Sequence, residues 1–167
     1  MKQLLRYLGE VVVPALTETF IASEKFVLTT DNNRYSLKIS RLGERFEDWF
    51  FGEKTDEKPK AETTLRYAEL TERTMECFVF AELGETAETT LSAIYALMQG
   101  QPRGESEISP LATDFGWSNI FYVRDISGRL RWVTVEYSLF NSRGWHVYAN
   151  HVDEKYELSS RTRVFYK

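Results

Sequence analysis

From Asn119 the chain passes through three segments, 119–125, 130–139 and 145–152, crowded with β-branched and aromatic residues. They are separated by Ile126-Ser-Gly-Arg129 and Phe140-Asn-Ser-Arg143. Such side chains suit a pleated, half-buried surface, and Asn, Ser and Gly suit tight turns. A stretch of this kind commits the chain to an antiparallel meander, and 161–166 reads as a further strand.

The turn lengths predict a register in which Ile120 faces Val135 and Glu136 faces Val147. One face then collects Phe121, Val123, Trp132, Thr134, Glu136, Trp145, Val147, Ala149 and His151. The other holds Ile120, Tyr122, Val133, Val135, Tyr137, Leu139, His146 and Tyr148. The Val133–Leu139 row makes the second face the better core. The first needs a cover, and the amphipathic segments 41–51, with a third meander strand as its alternative, and 87–99 are the expected helices for it. Without that cover, Trp132, Glu136, Trp145 and His151 form an aromatic surface able to bind a ligand or partner.

Upstream, Phe26–Thr30 and Arg34–Ser40 flank Asp31-Asn32-Asn33, which predicts a β-hairpin with Tyr35, Leu37 and Ile39 facing inward. Pro14 suits the first position of a helical stretch over 15–22. Residues 63–83 predict two strands, with helix as the alternative for the second, in which Met75, Cys77 and Val79 share a face. Apolar neighbours and Glu76 make Cys77 a buried structural thiol in this reading. The clearest helix covers 87–99, with Thr86 as its cap and Gly100 as its end. Exposed loops are expected near 53–62 and 101–118, with Gln101–Ser109 the most mobile.

The expected fold is a single α+β domain over 1–167. It has a largely antiparallel, curled sheet of about six to eight strands and two or three helices. A length of 167 residues is enough for one core. No apolar run approaches the roughly 20 residues of a membrane span, so no membrane partner is expected. One cysteine excludes an internal disulfide and a thiolate zinc site, and the expected setting is the cytoplasm.

The net charge of −4 is uneven: 8 basic against 15 acidic groups in 41–110, and 8 against 6 in 111–167. That distribution makes nucleic acid an unfavoured partner, although C-terminal arginines alternate with aromatics as a single-strand binder requires. Phosphate-binding loops, dinucleotide fingerprints, nucleophile elbows and zincin motifs are all missing from the sequence. His146 and His151, an odd number apart on one strand, point to opposite faces and cannot share a metal. His151 with Asp153 and Glu154 is the remaining metal or general-base arrangement.

The expectation is therefore a non-catalytic cytosolic binding or interaction protein without metal or cofactor. It would act through the aromatic sheet face or the 101–118 loop, toward a protein or small molecule, with homo-oligomerisation left open. A small-molecule enzyme or carrier using Glu136 or His151 is the first alternative, and a single-stranded nucleic-acid binder the second.

Overall fold

The computed structural model describes residues 3–105, 110–140, 142–152 and 155–167. The strands are β1 (Leu5–Val13), β2 (Ile39–Leu42), β3 (Thr63–Leu70), β4 (Thr74–Met75), β5 (Ser118–Arg124), β6 (Leu130–Ser138), β7 (Gly144–His151), β8 (Glu157–Leu158) and β9 (Thr162–Tyr166). The helices are α1 (Ala22–Lys25), α2 (Glu44–Phe50), α3 (Glu76–Leu83) and α4 (Leu91–Gly100). Seven strands form one open sheet in the order β1-β3-β9-β5-β6-β7-β2, and β4 pairs separately with β8. The fold is α+β. The large sheet is mostly antiparallel but mixed, because β5 runs parallel to β9 and β2 parallel to β7.

Each face of the sheet has its own core. On one, Val133, Val135, Trp145, Val147, Phe121 and Phe165 pack with Phe46 and Phe50 of α2 and with Leu91, Ile94 and Met98 of α4. On the other, Ala68, Ile120, Tyr122, Trp132 and Val164 pack with Val79 and Leu83 of α3 and with Leu158. The predicted covering helices therefore lie on the Val133 face, and α3 covers the opposite one. Its cover reaches the β3–β9–β5 side and Trp132. Farther along, Glu136, His146, Tyr148 and Asn150 are only partly buried.

The meander strands form close to their expected limits, but the register is one residue away from the predicted one. Ile120 pairs with Thr134, and Glu136 pairs with His146. With side chains alternating at every residue, this slip regroups the faces. Trp132 and Glu136 now share a face with His146 and Tyr148. Trp145 and His151 lie on the other.

The expected 26–40 hairpin does not form. Only Ile39–Leu42 is a strand, paired parallel to β7, while Thr29 N donates to Ile39 O at 2.9 Å as a remnant of hairpin contact. Phe26 instead enters the helix-side core, its ring 5.0 Å from that of Phe46, and Tyr35 is exposed. The anticipated helix over 41–51 divides into the end of β2 and α2, with Gly43 between them. Of the 15–22 segment only Ala22 is helical, as the first residue of α1. Leu16 and Phe20 make antiparallel bridges to Lys60 and Glu57, and the preceding residues form β1.

The second strand expected in 63–83 is α3, the alternative allowed by its Glu, Ala and Leu content. Helical spacing buries Glu76, Val79 and Leu83 and turns Cys77 outward, so Cys77 is not the buried thiol anticipated from strand alternation. Helix α4 starts four residues later than expected, with Thr90 Oγ1 accepting from Ala93 N at 3.3 Å. Glu57 completes that N-terminus by accepting from Ser92 N at 3.0 Å, while Lys60 Nζ donates to Glu57 at 2.6 Å. The charged 53–62 loop thus anchors a helix end as well as meeting water.

Candidate functional site

The half of the Trp132 face beyond α3 is a groove of about 700 Å³ across β6, β7 and β2. Trp132, Thr134 and Glu136 contribute from β6, and Tyr148 and Asn150 from β7. Arg41 and Arg45 stand at the β2–α2 side, and Tyr156 and Leu158 at the opposite end. Gly43 allows the start of α2 to approach closely, since a Cβ there would sit 3.0 Å from Tyr148 Cδ1.

Glu136 lies at the junction of this groove and a smaller concavity of about 190 Å³, also lined by Phe115, Trp117, Leu139, Phe140 and His146. It is half-buried, and burial raises its pKa above the ordinary carboxylate value. Among the described residues its carboxylate has no hydrogen-bond or ion-pair partner. The neighbouring polar groups are already arranged. His146 Nε2 lies 3.1 Å from Ser142 Oγ and 3.2 Å from Ser142 O, and Nδ1 lies 3.3 Å from Tyr148 Oη. The Arg41 guanidinium carbon lies 5.7 Å from the Tyr148 ring centroid.

Trp132 forms a fixed wall. It is buried, Nε1 donates to His151 O at 2.8 Å, and its ring lies 5.0 Å from that of Tyr156. Trp145 belongs to the core on the opposite face, where Nε1 donates to Gln101 O at 2.8 Å. His151 joins a separate cluster at the sheet end. Arg131 donates to Asp125 Oδ2 at 2.6 Å and contacts His151 Nδ1, with its guanidinium carbon 4.1 Å from the Trp49 ring centroid. Burial tends to raise the Asp125 carboxyl, but bonds from Ser127 and Arg131 and the backbone N–H of Arg129 hold it below its usual range.

Of the four residues expected to share one surface, the fold brings Trp132 and Glu136 together and separates Trp145 and His151 from them. Asp153 and Glu154, the suggested companions of His151, lie outside the described residues. Among the described residues there is no group of three or more His, Cys, Asp and Glu able to hold a metal ion. The sequence reading missed Tyr148 and Arg41 of the groove and His146 of the smaller concavity. Glu136 and His146 share a face because the observed register pairs them directly, one residue away from the register that the turn lengths predict.

The loop after α4 reaches the rim of the smaller concavity. Buried Gln101 donates through Nε2 to Leu111 O at 3.1 Å, and its Oε1 accepts from Leu111 N at 3.1 Å. Buried Asn119 accepts from Ala112 N at 2.7 Å and donates to Ala112 O at 2.9 Å. The described start of the expected mobile segment is therefore pinned, and 106–109 lie outside the described residues. Among the described residues no helix is long and apolar enough to cross a membrane. Compared with protein-family models, curated proteins and solved structures, the chain matches none.

Proposed function

We propose that the chain is a non-catalytic binding protein that receives a donor-bearing ligand, a small molecule or a peptide segment, in the groove at Glu136. The observation carrying this reading is a partly desolvated carboxylate without a partner among the described residues, beside aromatic walls at the place where the helical cover ends. An ammonium group would restore the interactions lost on desolvation. Arg41 offers a complementary charge for an anionic end of the same ligand. A curl of the sheet toward the groove would bring the Trp132 and Arg41 sides closer to one occupant. The exposed, single Cys77 suits a reducing cytoplasm, where a lone thiol remains free.

A second reading, a small-molecule enzyme, draws support from the Glu136–His146 pairing, since a carboxyl and an imidazole on one face can exchange protons with a ligand between them. His146 replaces His151 in that role.

Phenethylamine titration, followed by tryptophan fluorescence with phenylacetate as the opposite-charge control, tests the binding reading. The amine should saturate, and Glu136→Gln should weaken it by about tenfold or more, as expected for loss of a charge-assisted bond. Equal affinity for amine and acid, unchanged in Glu136→Gln, overturns it.

A further inference from the structure

We infer that a third concavity, away from the groove, binds a small oxyanion: inorganic phosphate or a compact phosphate monoester. It has a volume of about 330 Å³ and is lined by Asn32, Arg34, Lys38, Arg103, Tyr137 and Arg143. Four cationic residues thus border it, from the 32–38 loop, the segment after α4 and the turn before β7, with the Arg34 guanidinium held against Tyr35. No carboxylate is among the described lining residues. Six ion pairs are formed elsewhere among the described residues, and none includes these four cations.

Of the nearby acids, Asp31 is held within its own loop, and Glu105 meets the backbone rather than the guanidinium of Arg103. Asp31 accepts from Asn33 N at 2.8 Å and Ser36 Oγ at 3.2 Å, and Glu105 accepts from Arg103 N at 3.0 Å. In a chain with 25 acidic and 21 basic side chains, this is a local excess of positive charge. Mutual repulsion disfavours the cluster without a counter-ion, and a bound oxyanion reverses the sign of that term.

The site is also braced. Arg103 Nη2 donates to Asp31 O at 3.3 Å and also to Asn33 O, while its buried Nε has no hydrogen-bond partner among the described residues. Lys38 N donates to Pro102 O at 3.2 Å, and Lys38 O accepts from Trp145 N at 2.8 Å. Gly104, at φ +72°, lies against Tyr137 so closely that a Cβ would fall 2.6 Å from the ring. Backbone bonds thus hold the cationic segments before a ligand arrives, which lowers the ordering cost of binding.

Guanidinium forks match the several oxygens of a phosphoryl group, and Tyr137 supplies an apolar surface for a short substituent. The small, closed set of cations fits one phosphoryl group. A nucleic-acid strand calls for an extended basic stripe.

The test is calorimetric titration with inorganic phosphate and with phenyl phosphate at constant ionic strength. Both should saturate. Arg143→Gln and Lys38→Gln should each weaken phenyl phosphate by about tenfold, whereas Glu136→Gln, in the separate groove, should leave it unchanged. Circular dichroism of each variant checks that the fold is retained. Absence of saturation for both ligands by about 10 mM overturns the site, since millimolar affinity is already weak. Saturation unmoved by both cation variants overturns it as well. Tighter, strongly salt-dependent binding of a single-stranded oligonucleotide that displaces phenyl phosphate overturns the small-ligand assignment.

Discussion

Glu136 on β6 lies directly across from His146 on β7, one carboxyl and one imidazole in register on the face that α3 leaves uncovered. They are hydrogen-bonded neither to each other nor, in the case of Glu136, to any described residue. Both line the smaller concavity, Glu136 lines the groove as well, and the His146 ring nitrogens contact Ser142 and Tyr148.

Glu136→Gln should raise stability at neutral pH while weakening groove binding. The folded pKa of Glu136 is raised by burial, so its ionisation opposes folding. Its contribution is most favourable below the unfolded carboxyl pKa and is lost as pH rises through the higher folded value. The stability advantage of the variant should shrink as pH falls toward about 4. Urea denaturation of both proteins between acidic and neutral pH measures this, and a variant less stable at pH 7 would assign Glu136 a structural role.

Asp125→Ala should destabilise the fold by about 3–5 kcal/mol, because it leaves the Arg131 guanidinium buried without its carboxylate. The folded pKa of Asp125 is lowered, so its contribution is present above the unfolded carboxyl value and disappears as pH falls through the folded one. The wild-type advantage over the variant should therefore persist through neutral pH and vanish in strong acid. Chemical denaturation at several pH values reads both effects.

Gly104→Ala should cost about 1–3 kcal/mol. The new methyl would meet Tyr137 at 2.6 Å, on a backbone at φ +72° that disfavours alanine. Gly100→Ala is the matched control, since a Cβ at the end of α4 meets nothing within 4 Å. Thermal melts should separate the two, with Gly100→Ala neutral or stabilising.

Cys77 should react with a thiol reagent in the native protein at nearly its unfolded rate, because α3 turns it outward. Labelling followed by mass spectrometry, with and without denaturant, checks this. Strong native protection would mean that the 76–83 segment packs as the strand suggested by its alternation.

The strands at 130–138 and 144–151 were legible because their residues fit a pleated surface and their turns are short. Pairing register was not. Turns admitting neighbouring registers leave parity undecided, and parity alone determines whether Glu136 accompanies Trp145 or His146. Cys77 was misread for a related reason: Met75 to Leu83 alternates well enough for a strand yet suits a helix in composition. The outcome is a helix seated on the second core. Phe26 seemed to mark a hairpin, but an aromatic residue beside a turn can equally enter a neighbouring helical core, as it does here with Phe46 and Tyr95.

The place of β9 has a consequence for how the chain assembles. Thr162–Tyr166 pairs with β3 on one side and β5 on the other, so it joins a β1–β3 pair to a β5–β6–β7–β2 block. During synthesis those two parts emerge before the strand that connects them. Until 162–166 clears the ribosome, the inward edges of β3 and β5 both remain open to mispairing with another nascent chain. Long-range closure is slow relative to local hairpin formation. The interval of greatest aggregation risk therefore lies between the emergence of β7 and that of β9, and a pause within it would prolong it.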